Sequence, residues 1–301
     1  SHLTGGDKLA VRKIALVTNF NIREKAQTAA RVADFISAYP CEIYVSDLMR
    51  EKAEKFTSIA EKVIFAPHST IYRDMDAIIV LGGDGSILSA ARYCISSKIP
   101  ILGINLGHLG YMAEMEVDEI DMLDRLFTGN YEIEERIMLD VSVLRKGKNL
   151  VNRASALNDA VISNGSVSRM IDVELSEGDL LVSSYRADGL IFATPTGSTA
   201  YSMSAGGPVI DPRMGCICVT PVCPHSLAAR PLVFSDSAEL SVKNTCDREK
   251  SLFLTLDGKV NFEIYRGDVV RIKRSNSVTK LIKLKDRGFY NTLNQKMNKG
   301  K

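Results

Sequence analysis

The sequence predicts an α/β domain built on a parallel, Rossmann-like sheet, followed by a β-rich, sandwich-like domain. Three observations carry that prediction. Strand and helix signals alternate up to about residue 130, as in a parallel sheet with helices on its faces. After Tyr131 the rhythm changes to short period-two runs separated by Gly, Asp and Asn turns. At 301 residues the chain is also long enough for two cores. The expected division is 1–130 and 131–280, with a segment 281–301 that packs back on the first domain.

Each element follows from its own run of residues. "RKIALVTNF" is a short strand, and "REKAQTAARVADFISAY" sets Ala26, Ala30, Val32, Ala33 and Ile36 at helical spacing. "CEIYVSD" reads as the second strand, "EKAEKFTSIAEKVIF" as a helix before its last residues, and "DAIIVL" as the third strand. "SILSAARYCISS" is a helix and "IPILGINL" a strand ended by glycines; the parallel strands are near-continuous apolar runs, as expected where both faces of the sheet are covered. "VDEIDMLDRLFTG" reads as a helix stopped at Gly129. The β-rich part shows alternation in "MLDVSVL", "IDVELSEGDLLVSSY", "ELSVK", "LFLTLDG" and "VVRIKR", and "RGFYNTLNQKM" has short helical character.

Composition narrows the function classes. Lys and Arg number 38 against 36 Asp and Glu, which gives no basic stripe for nucleic acid or a membrane surface. No apolar run approaches the ~20 residues of a membrane span, and the first residues lack a secretory apolar block, so a cytoplasmic protein is expected. Of six cysteines, Cys216, Cys218 and Cys223 lie close to His225. That spacing fits no common zinc pattern, and Cys216 and Cys218 read as small hydrophobes on one face of a strand.

Neither a P-loop nor a G-x-G-x-x-G fingerprint is present. In "LGGDGS", Gly82, Gly83 and Gly85 let a ligand approach the backbone, and the following helix start suits phosphate. Asp84 sits inside that turn. A carboxylate there would repel phosphate unless it takes a proton from a hydroxyl or meets a metal; taken alone, the motif favours a helix-capping or Asx-turn aspartate. In "ALNDAVISNG", Asn158 and Asp159 suit a ribose diol or an adenine edge, or form an ordinary turn. Arg169 faces a phosphate or solvent. "YRADGLIFATPTGSTAYSMSAGGPVIDP" packs Arg186, Asp188, Thr194, Thr196, Ser198, Thr199, Tyr201, Ser202 and Ser204 around glycines, which suits a polar pocket. Ser198 has no His-Asp pair in a nucleophile-elbow arrangement, against a hydrolase.

In order and spacing these stretches resemble the NAD kinase family, within a wider NAD kinase and diacylglycerol kinase-like group. "INLGHLGYMAE", "TPVCPHSLAARPLV" and "LDGK" fit as well, and the resemblance runs from about Lys13 to the C-terminal helix. It implies transfer of the terminal phosphate of ATP or polyphosphate to the adenosine ribose 2′-hydroxyl of NAD, making NADP. Asp84 would be the general base and Mg²⁺ would come with the donor, with no metal site assigned to the protein's own residues. Gly85 would lie beside the dinucleotide and Asn158 and Asp159 at the adenosine. Thr199, Ala200, Tyr201 and Ser204 would line the adenine pocket, with Thr196 near it. Arg169, Arg186 and Asp188 would face the nicotinamide half, partly across an interface in a homo-oligomer, a dimer or a tetramer. Ser86, Asp159 and Lys259 depart from the family's usual threonine, glutamate and glutamine. Two alternatives stand beside this reading: a lipid or sugar kinase sharing only GGDG, and a non-catalytic dinucleotide-binding regulator.

Overall fold

The computed structural model describes residues 11–57, 59–107, 110–165, 170–246, 252–285 and 289–298. The first elements are β1 (Lys13–Val17), α1 (Arg23–Ile36), β2 (Glu42–Ser46), α2 (Arg50–Phe56), β3 (Ile64–Ala66) and α3 (His68–Ile71). Next come β4 (Ala77–Leu81), α4 (Asp84–Tyr93), β5 (Ile101–Asn105), β6 (Met115–Glu116) and α5 (Asp124–Thr128). The strand-rich part holds β7 (Glu132–Arg145), β8 (Lys148–Ala156), β9 (Asp159–Asn164), β10 (Ile171–Glu177), β11 (Leu180–Ala187) and β12 (Gly189–Ala193). It continues with α6 (Tyr201–Ser204), β13 (Cys216–Val222), β14 (Leu232–Ser235), β15 (Leu240–Asn244), β16 (Leu252–Leu256), β17 (Val260–Ile264) and β18 (Val269–Lys283), and the chain closes with α7 (Phe289–Asn298).

The chain forms two compact units, residues 1–135 with 279–301, and residues 136–278. In the first, parallel strands run in the order β3-β2-β1-β4-β5, and Leu281 of β18 pairs with Ile101. Ile14 lies opposite both Ile43 and Ala77. β4 and β5 are buried along their whole length, which is why they read as unbroken apolar runs. On α1 the buried face is Ala26, Thr28, Ala29, Val32, Ala33 and Ile36; Ala30 is only partly covered. The second unit is a two-layer β structure. One sheet runs β11-β10-β15-β18 with β7 and β8 attached, the other β14-β13-β12-β9-β16-β17. Leu139, Val173, Ile162 and Phe192, from both sheets, share its core.

Several local expectations change. Ile64–Ala66 forms β3, so "DAIIVL" is the fourth strand rather than the third. The segment Val117–Leu123 is a 3₁₀ turn kinked at Glu119, and only Asp124–Thr128 is α-helical. Gly129 does stop it, in the left-handed conformation with φ 73°. Helix α4 begins at Asp84, two residues before the expected start at Ser86.

Candidate active site

In the first unit, β1 leads to β2 on one side and β4 to β5 on the other, so the strand order reverses between β1 and β4. Ligands of open α/β sheets bind at the carboxyl ends of strands at such a point. The Thr18 hydroxyl donates to the Leu81 carbonyl (2.8 Å) and ties these two strand ends together. Directly after Leu81 come Gly82, Gly83 and Asp84. Gly83 is the extended N-cap of α4 and Asp84 its first helical residue.

The Asp84 carboxylate does not cap its helix. It reaches across to another loop, where Oδ2 accepts the Tyr111 N–H (2.8 Å) and Oδ1 the Met112 N–H (2.9 Å). Two backbone donors therefore fix its position, so a capping role is not what this aspartate serves. A methyl on Gly110 would stand 2.1 Å from Oδ1, so the anchoring loop needs glycine there. A methyl on Gly82 would meet the Ser86 hydroxyl at 2.4 Å. Gly83 and Gly85 are different: added methyls would meet nothing within 4 Å. Internal packing does not demand glycine on either side of Asp84, and the open backbone there suits a closely approaching ligand. The Tyr111 phenol is pushed up by burial and then by the Asp84 charge.

In the second unit the site centres on a corner. The chain leaves β8, passes through Leu157 and Asn158, and enters β9 in the other sheet. Three amides at this corner converge on one carboxylate. Asp257 accepts the N–H of Leu157 (3.0 Å), Asn158 (2.8 Å) and Asp159 (3.2 Å). Thr194 holds the opposite edge, its N–H on the Asn158 carbonyl (2.9 Å) and its hydroxyl on the Leu157 carbonyl (2.5 Å). The Asn158 Oδ1 is buried with no hydrogen-bond partner among the described residues. Asp159 is buried, and burial, then the nearby Asp257 charge, push its carboxyl up to about 7.

Most hydroxyls of the Thr-rich stretch are spent on folding it. Ser198 is fully buried, donating to the Pro195 carbonyl (2.7 Å) and accepting from the Ile210 N–H (2.9 Å). Ser202 and Thr220 hydrogen-bond each other at 3.0 Å. The Thr196 hydroxyl accepts from the buried guanidinium of Arg136 (3.2 Å). Thr199 and Ala200 are half-buried, while Tyr201 and Ser204 on α6 are exposed. Gly197 packs so tightly under the corner that a methyl there would stand 2.0 Å from the Asn158 carbonyl oxygen.

The structure thus brings Asn158 and Asp159 together with the Thr194–Ala200 segment. Arg186 lies elsewhere in that unit, on β11 and 3.9 Å from Asp172, and Asp188 is exposed at the start of the next strand. Arg169 falls outside the described residues. Cys216 and Cys218 are buried on β13 beside Ile191 and Ile210, with their thiols pushed up by burial. Asp257, Arg136 and the Tyr111 and Met112 amides escaped residue-by-residue reading, because each acts on a partner distant in sequence. The one local signal was the Asp-Gly pair of "LDGK", which marks a turn but not its target.

Residues 14–131 match the ATP-NAD kinase N-terminal domain family and residues 157–284 the ATP-NAD kinase C-terminal domain family. The NAD kinase of Natranaerobius thermophilus is 39% identical over 292 residues, spanning 96% of this chain and 99% of that protein. That of Citrifermentans bemidjiense is 36% identical over 291 residues, with the same coverage. Among solved structures, yeast NADH kinase complexed with NADH superposes with a TM-score of 0.87 at 23% identity, over 97% of this chain and 89% of that one. An NAD kinase from Archaeoglobus fulgidus in complex with ATP gives 0.71 at 23% identity, over 95% and 98%. These two agree with the fold. With the domain matches and the full-length relatives, the α/β and β-rich pair is accounted for: the chain belongs to the NAD kinase family and carries its phosphotransferase activity.

Proposed function

We propose that Asp84 is the general base of NAD phosphorylation in this chain. One observation carries the assignment: a carboxylate held by two backbone amides stands between two glycines whose exposed side is open. As the carboxylate takes the proton of the adenosine ribose 2′-hydroxyl, that oxygen bonds to the terminal phosphorus of the donor. The bond from phosphorus to its bridging oxygen breaks, and the electron pair leaves with the shortened donor. Such transfer depends on positioning and electrostatics, which a fixed base and an open helix start supply.

The donor is ATP or polyphosphate. Among the described residues no group of three or more His, Cys, Asp or Glu could hold a metal ion. A Mg²⁺ ion would be carried on the donor phosphates, with Asp84 as the carboxylate of this turn. Bound there it would offset the phosphate charge.

In the second unit, Asn158 and Asp159 hold the adenosine, and the orphaned Asn158 oxygen supports that role. Thr199, Ala200, Tyr201 and Ser204, with Thr196 behind them, line the adenine pocket, and Gly85 lies by the dinucleotide. Arg169, Arg186 and Asp188 serve the nicotinamide half in a homo-oligomer. The exposed Met203 and Val209 beside the loop favour assembly, which light scattering checks; a monomer mass would overturn it.

The deciding experiment measures NADP formation from NAD and ATP with Mg²⁺, for the native chain and Asp84→Asn. The expected loss is at least about a hundredfold. Equal activity in both would remove Asp84 as the base.

A further inference from the structure

Asp257 has no part in the proton and phosphoryl transfers, yet it organises the corner that carries Asn158. It lies between β16 and β17, in a turn closed by Lys259 N–H to the Leu256 carbonyl (3.0 Å). Both central residues have positive φ, 48° at Asp257 and 67° at Gly258. Asn fits such a position as readily as Asp. The turn itself therefore does not require a carboxylate.

What requires one is the set of donors. Three consecutive amides, from Leu157, Asn158 and Asp159, point at its two oxygens. An asparagine offers a single acceptor oxygen and would set its own NH₂ against the remaining N–H. The Asp257 N–H returns a bond to the Asp159 carbonyl (3.0 Å), so the two segments are tied in both directions. Leu157 and Asn158 lie between strands of different sheets, where no strand ladder fixes their direction. Asp257 from one edge and Thr194 from the other settle it. The side chain that emerges is Asn158, with its oxygen buried and awaiting a donor.

We propose that Asp257 is a positioning residue of the kinase reaction: by gathering the amides of Leu157, Asn158 and Asp159 it sets the direction in which Asn158 meets the dinucleotide. This rests on the reading of Asn158 as a dinucleotide contact. Asp257 acts through the corner and needs no contact with the substrate.

The test is a double-mutant cycle on the full chain, with Asp257→Asn, Asn158→Ala and the double variant, read as KM for NAD, KM for ATP and kcat. Positioning predicts that Asp257→Asn raises KM for NAD about tenfold and leaves KM for ATP unchanged. It also predicts that the double variant is no worse than Asn158→Ala alone, whereas a general loss of stability would not be selective for NAD. Asp257→Glu keeps the charge but displaces the oxygens, and is expected to raise KM for NAD as well; it serves in place of Asp257→Asn if that variant does not fold. An unchanged KM for NAD in both Asp257 variants, or effects that multiply in the double variant, overturn the proposal. An unchanged KM for NAD in Asn158→Ala instead removes the dinucleotide-contact reading, and this proposal with it.

Discussion

Gly110 has no side chain, and the Asp84 carboxylate occupies the space one would need. Gly110→Ala would bring its methyl to 2.1 Å from Oδ1, so either the carboxylate or the loop must move. Since the same loop donates both amides to Asp84, kcat should fall by at least about tenfold with the fold retained, because a misplacement near 1 Å suffices for such losses. Full activity in this variant would show that the anchoring is dispensable. Asp159 gives a residue-scale prediction of another kind. Its carboxyl is raised from 3.8 to about 7, so the native chain keeps a proton there that the unfolded chain has already lost. The stability it contributes is complete below 3.8 and disappears as pH rises through about 7. Asp159→Asn should remove that slope, which amounts to a few kcal/mol on an order-of-magnitude scale. Denaturant titrations of both proteins across this range check it, and parallel stability curves would refute the burial argument.

At the scale of elements, the Thr-rich stretch and the corner behave as one packed unit. Gly197 lies against the Asn158 carbonyl, its N–H donates to the Thr194 hydroxyl (3.1 Å), and Ser198 stitches the loop to Ile210. Gly197→Ala should lower stability by about 1–3 kcal/mol, since the methyl meets backbone that cannot rotate away. Because the displaced group is the Asn158 carbonyl, KM for NAD should rise in the same variant. Thermal melting and steady-state kinetics together test this, and an unchanged Tm would mean the corner yields easily. Sequence periodicity located α4 from its apolar residues, Ile87, Ala90 and Ala91, but not its first residue. The reason is physical: Asp84 and Gly85 bury nothing of the apolar face, so only the hydrogen bonds mark them as helical.

At the scale of the whole molecule, the chain leaves the first unit before Arg136 and returns to it at Thr279. The returning segment is held within that unit by Glu114. Its Oε1 accepts the N–H groups of Leu284 and Lys285 (2.8 Å each), its Oε2 pairs with Lys283, and its side chain is 3% exposed. Further on, Phe289 packs on the Tyr111 ring and the Lys296 ammonium lies 3.9 Å from that ring's centre. Glu114→Ala strands a largely buried lysine and two amides, so a loss of about 3–5 kcal/mol is expected. Chemical denaturation measures it, and a midpoint equal to the native one would show that the C-terminal segment is secured by its apolar residues Ile282 and Leu284 alone.

The sequence by itself determined the two kinds of architecture, because buried parallel strands and period-two strands leave different apolar patterns. It also determined the family, through three polar motifs whose order and spacing no single fold requirement imposes. Even there, the glycines on either side of Asp84 could not be told from packing glycines until the empty space around them was visible. The tertiary structure alone decided what holds the functional side chains. Asp84 depends on amides 27 and 28 residues away, and the Asn158 corner on a carboxylate 99 residues away. Hydrogen bonds between segments so far apart leave no periodic trace in sequence, since each partner satisfies only its own local backbone until folding brings the two together.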